Sequence, residues 1–131
     1  MKKMFMALLL PLVFIAACAQ ADELPVKEWN TGPQNPLVVY ISGDGGFNKF
    51  STALCASISS SGYSVSALNA RSYFWTRKTP EQMAEAIDAY IEKQFINRKN
   101  QQLVLSGYSF GADVMPFIVN RLSDKLKSKL I

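Results

Sequence analysis

Three short apolar, β-rich runs, each followed by a segment with helical spacing, constrain this chain more than any other feature. Leu37-Val38-Val39-Tyr40-Ile41 runs without a polar break and stops at Ser42-Gly43-Asp44-Gly45-Gly46. Tyr63 to Leu68 is the second run, and Gln102-Leu103-Val104-Leu105-Ser106 is the third. A strand with one wet face alternates apolar and polar residues, whereas a continuous apolar run bounded by glycine suits a strand covered on both faces. Between the runs, Phe47, Phe50, Leu54 and Ile58 fall at helical spacing along Asn48 to Ser60, and Gly62 suits the C-cap. Thr79-Pro80-Glu81-Gln82 reads as a helix start: Thr79 caps, Pro80 fits the first position, and Gln82 closes a capping box. Met83, Ile87, Tyr90, Ile91 and Phe95 then give that helix one apolar face, and Phe110 to Leu122 predicts a third helix. Asn69 to Trp75 reads as an aromatic loop. The alternation predicts right-handed βαβ units: an α/β fold with a parallel sheet and flanking helices.

The N-terminus stands apart from this pattern. Lys2 and Lys3 precede an uncharged apolar stretch from Met4 to Ala17, and Ala19-Gln20-Ala21 is a small-x-small cleavage site. Residues 1–21 therefore read as a secretory signal peptide, shorter than the roughly 20 apolar residues of a bilayer span and interrupted by Pro11. A second route stands beside it, because Ile15-Ala16-Ala17-Cys18 resembles a lipobox in which Cys18 would be lipidated. Residues 22–36 form a lead-in with a short edge strand expected at Val26 to Trp29, and residues 37–131 form the domain. Loss of Lys2 and Lys3 from 14 basic and 10 acidic residues leaves a formal charge of +2, too weak a balance to argue for nucleic acid. The mature chain would keep one cysteine, Cys55, set among Ala53, Leu54, Ala56 and Ile58 as a buried thiol and not a reactive one. With no histidine anywhere in the 131 residues, no metal or cofactor site is expected.

Gly107-Tyr108-Ser109-Phe110-Gly111 matches G-x-S-x-G. By composition that motif arises by chance about once in 25 chains of this length, so its context decides its weight. Here it follows an apolar strand and opens an apolar helix, as a nucleophile elbow requires. Ser109 is the expected nucleophile, with the N–H of Phe110 as one oxyanion donor. Gly43-Asp44-Gly45-Gly46 follows an earlier strand, where it reads as an oxyanion loop with Asp44 as the donor and Gly45 next to it. A phosphate-cradling loop is the alternative, though the segment lacks the P-loop lysine and the third glycine of a dinucleotide fingerprint; a plain turn is the other.

Ser42 to Gly46, Arg71-Ser72-Tyr73-Phe74-Trp75 with Arg77 and Thr79-Pro80-Glu81, and Gly107 to Val114 occur in that order. Together they resemble the bacterial virulence protein VirJ family, an exported branch of the α/β-hydrolase superfamily, over about Leu37 to Ile131. The resemblance implies Ser109 as nucleophile, the 43–46 segment as oxyanion loop, and a periplasmic location. It also implies a link to type IV secretion and a membrane phospholipid ester, of the aminoacylated kind, as substrate. Arg71, Tyr73 and Trp75 are the candidate substrate-binding residues; the arginines either bind an anionic headgroup or stack on the rings. Superfamily members run Ser, then acid, then His, so both triad partners are expected beyond Ile131 and the fold is expected to be incomplete. Asp113, four residues after Ser109, suits a helix-dipole role better than that of a base. Lys49, Lys78, Lys93 and Lys99 read as solvated, and Lys125, Lys127 and Lys129 as a solvated helix end. Two functions remain: a periplasmic serine esterase, and a non-catalytic binding or secretion-accessory protein that keeps the elbow as architecture.

Overall fold

The computed structural model describes residues 23–29 and 32–131. The expected signal peptide and Cys18 lie outside the described residues. In chain order the elements are β1 (Val26–Trp29), β2 (Leu37–Ile41), α1 (Lys49–Ser60), β3 (Ser64–Leu68) and α2 (Ala70–Tyr73). They continue with α3 (Pro80–Phe95), β4 (Leu103–Gly107), α4 (Phe110–Val119) and α5 (Asp124–Lys127). The sheet order is β1-β3-β2-β4, with β2 parallel to both β3 and β4, and β1 antiparallel to β3 at the edge. Beyond α5, Leu130 bridges Leu103 in parallel, with Leu103 donating to the Lys129 carbonyl at 2.8 Å and Ile131 donating back at 3.1 Å.

The uninterrupted run of β2 puts it in the middle, where every residue is at most 3% exposed. Alternate side chains feed two cores. Leu37, Val39 and Ile41 face the cluster built by Met83, Ile87, Ile91 and Phe95 of α3 with Ile118 of α4. Val38 and Tyr40 face Cys55 of α1, with Val65 and Ala67 of β3 beside them. Helices thus cover both faces of the sheet, which makes the fold α/β. The capping box forms as the sequence predicts: Gln82 N–H donates to Thr79 Oγ1 at 3.2 Å, and Thr79 N–H to Gln82 Oε1 at 2.9 Å.

Four local readings change. The fully buried positions of α1 are Ser51 and Cys55, while Phe50 is 51% exposed. Ser51 is drawn inward because the buried Tyr40 hydroxyl needs a partner, which it finds in Ser51 Oγ at 3.2 Å. The aromatic loop begins as a helical turn, α2, because Asn69 Oδ1 caps the N–H of Ser72. The third helix stops at Val119, and the chain then turns into α5. The basic end is only partly solvated, since Lys125 pairs with Glu92 of α3 at 2.7 Å and Lys127 donates to the Asn120 carbonyl.

Burial leaves a titration signature. Cys55 is free and buried, and desolvation lifts its thiol from 9.0 to about 11. Tyr40 is raised for the same reason, its bond to Ser51 opposing the shift. Both groups hold protons in the folded state that the unfolded chain releases, so their contribution is present below the unfolded pKa and fades as pH rises through the folded one. Stability is therefore expected to fall between about pH 9 and 11, and less so in Cys55→Ala. Urea unfolding at pH 7 and at the upper end of that window measures the difference.

Candidate active site

The elbow depends on two close backbone approaches. A Cβ on Gly111 would lie 2.1 Å from the Ile41 carbonyl oxygen and 2.7 Å from that of Ser42, so α4 starts in contact with the end of β2. A Cβ on Gly107 would lie 2.4 Å from the Gly111 carbonyl oxygen. Tyr108 N–H donates to the Ile41 carbonyl at 3.1 Å, which ties the turn itself to the same strand end. Between the glycines, Ser109 has φ 51° and ψ −121°, the only positive φ of a non-glycine residue among those described. A β-carbon is strained there by about 1–3 kcal/mol, a conformation that persists only where packing over-determines it. Ser109 holds the N-cap position of α4, yet its side chain makes no cap hydrogen bond and the residue is exposed. As the first residue of α4, Phe110 has an N–H with no carbonyl one turn earlier in the helix to receive it.

The 43–46 segment is a tight turn, with Gly46 N–H donating to the Gly43 carbonyl at 3.0 Å. Gly46 has φ +65°, and a Cβ there would come within 2.8 Å of Asn69 Oδ1 and 3.3 Å of Arg71 Cβ. Gly43 packs against the elbow, its Cβ position 3.4 Å from Ser109 Cβ and from Tyr108. The loops after β2, β3 and β4 therefore meet at one end of the sheet, at the carboxyl ends of three parallel strands. Asp44 and Gly45 are exposed there, and among the described residues neither N–H has a hydrogen-bond partner.

The other candidate residues divide. Arg71 sits beside Gly46, and Trp75 is 82% exposed. Tyr73 is 8% exposed and faces the core, packed edge-on to Phe74 at 4.9 Å with the Lys78 ammonium 5.5 Å from its ring. Asp113 is exposed one turn into α4, its N–H donating to the Ser109 carbonyl at 3.1 Å. No group of histidine, cysteine and carboxylates among the described residues could hold a metal ion.

Residues 35–131 match the family described as bacterial virulence protein (VirJ). The chain belongs to the VirJ family. Comparison with curated proteins and with solved structures finds no match. Two features of this VirJ-family chain escape a reading of the sequence. Phe50, assigned to a buried helix face, instead packs on Tyr108 at 4.7 Å, so an exposed aromatic pair stands directly before Ser109. On the opposite side, Phe110 packs edge-on to Phe74 at 5.1 Å, and a depression of about 230 Å³ opens between Phe110, Met83 and Phe117. Ser42 is the second feature, a fully buried hydroxyl at the end of β2. A serine directly after a five-residue apolar strand was the available signal, because a buried hydroxyl must have partners to satisfy it.

Proposed function

We propose that this VirJ-family chain carries the serine of an exported, periplasmic esterase of α/β-hydrolase type, which transfers an acyl group to Ser109 and then to water. The observation that supports this reading is the backbone of Ser109, strained and uncapped with an exposed hydroxyl, on a turn that two glycines make possible. In the first step Ser109 Oγ bonds to the ester carbonyl carbon, and the carbonyl electron pair moves onto oxygen. The N–H groups of Phe110 and Asp44, with Gly45 beside them, stabilise that oxyanion. The Oγ proton passes to a base and on to the leaving alcohol as the C–O bond breaks, and water releases the acid by the same route. Arg71 and the exposed Trp75 are assigned to an anionic headgroup, while the buried Tyr73 anchors their turn to the core; such a site fits an aminoacyl phospholipid ester. Type IV secretion is the setting that the family resemblance suggests.

One observation favours a second reading. The 131 residues contain no histidine, and a serine hydroxyl without a base is a weak nucleophile at neutral pH. On that reading the protein is a non-catalytic binding or secretion-accessory module. Ester hydrolysis by the protein purified from its natural source, compared with Ser109→Ala, separates the two. Turnover lost in Ser109→Ala supports the esterase; a folded natural protein with no turnover above Ser109→Ala supports the binding module.

A further inference from the structure

We infer that Ser42, at the end of β2, is the positioning residue that aims the Asp44 N–H at the Ser109 site; the inference rests on the reading of Ser109 as nucleophile. Ser42 is fully buried and its hydroxyl is used twice. It accepts from the N–H of Ala70, the first residue of α2, at 2.9 Å, and donates to the Gly43 carbonyl at 3.1 Å. The same carbonyl accepts from Gly46 N–H at 3.0 Å. Two donors therefore fix the direction of the Gly43 carbonyl.

The consequence follows from peptide geometry. The Gly43–Asp44 bond is trans, as no cis bond occurs among the described residues. In a planar trans peptide the C=O and the next N–H point in opposite directions. Holding the Gly43 carbonyl on the buried Ser42 hydroxyl thus turns the Asp44 N–H the opposite way, away from the core, in a segment so close to the elbow that a Cβ added to Gly43 would lie 3.4 Å from Ser109 Cβ. An oxyanion donor is useful only if it is already oriented when charge develops. The turn bond from Gly46 alone leaves the plane of that peptide free to rock, because a carbonyl oxygen accepts over a broad angular range. Ser42 removes that freedom, and its acceptance from Ala70 locks the loop after β2 to the start of α2. The hydroxyl acts through Asp44 and never touches substrate.

The test uses the 131-residue chain with imidazole supplied as base and a fluorophosphonate as probe. The rate of Ser109 modification is followed against probe concentration, and the orientation of the Asp44 N–H is read from its residual dipolar coupling. Ser42→Ala is expected to lower the limiting rate about tenfold or more while leaving the half-saturating concentration unchanged. The coupling of Asp44 should change and that of Phe110 should not. Ser42→Thr, which keeps the hydroxyl, should restore both. Ser42→Cys fills the same space with a weak donor and gives the same readouts if Ser42→Ala does not fold. An unchanged limiting rate in a folded Ser42 variant, or an unchanged Asp44 coupling, overturns the inference while the unmodified chain still reacts. An unmodified chain that does not react overturns the reading of Ser109 and this role with it.

Discussion

Gly111→Ala is expected to destabilise the domain by about 3 kcal/mol or more. The added carbon would sit 2.1 Å from the Ile41 carbonyl oxygen, 2.7 Å from the Ile41 carbonyl carbon and 2.7 Å from the Ser42 carbonyl oxygen. These are backbone atoms at the end of a strand paired on both sides, so they cannot swing away as a side chain would. The start of α4 has to lift, which breaks the bond from Tyr108 N–H to the Ile41 carbonyl and moves Ser109 off the loop it faces. Alanine gains helix propensity of roughly 1 kcal/mol over glycine, too little to offset an overlap of that kind. For a domain of this size each 1 kcal/mol shifts Tm by about 5 °C, so a fall of roughly 15 °C is expected. Gly45→Ala is the control, because its Cβ would meet only Asn48 Nδ2 at 3.5 Å. It should stay within about 0.5 kcal/mol of the parent. Thermal unfolding of the two variants checks the pair, and a Gly111→Ala Tm within a few degrees of the parent would refute the close-approach account.

Hydrolysis of an activated ester by the 131-residue chain alone is expected to run about 10⁴-fold or more below that of a complete triad. The reason is the missing base, since these residues include no histidine and Asp113 sits on the exposed side of the first turn of α4. General-base assistance contributes about 10² to 10⁴ in such reactions, and the exposed Ser109 hydroxyl leaves room for a base to come from solution. Added imidazole is therefore expected to raise the rate of the chain at least about tenfold over Ser109→Ala in the same buffer. That comparison removes the hydrolysis that imidazole performs unaided. The gain should follow the neutral fraction of imidazole as pH rises. Equal rates in both chains at every imidazole concentration would mean that the elbow presents no usable nucleophile.

The architecture was legible where one physical demand dominated. Five apolar residues in β2 need cover on both faces, and the Thr79–Gln82 cap satisfies local donors whatever surrounds it. The glycines flanking Ser109 were legible for a related reason, because only a residue without Cβ permits backbone contact at about 2 Å from the Cβ position. What could not be read depends on partners distant in sequence. Phe50 turns outward because Tyr108 lies beside it, and Ser51 turns inward because the Tyr40 hydroxyl waits there. Periodicity counts apolar residues and cannot see a hydroxyl 11 positions away. The same limit applies at the site. The motif put Ser109 on a turn, but the bond from Ala70 to Ser42 spans 28 positions and exists only once the loops after β2 and β3 meet.

On the proposed function, the strained turn at Ser109 presents a reactive hydroxyl. Peptide mapping by mass, after the 131-residue chain is treated with a fluorophosphonate in the presence of imidazole, reads this out. One adduct is expected, on the peptide that contains Ser109, absent from Ser109→Ala and absent when the chain is unfolded before treatment. A folded chain that gains no adduct, or gains it equally on other exposed serines such as Ser60 and Ser128, would contradict the claim and leave the elbow as architecture.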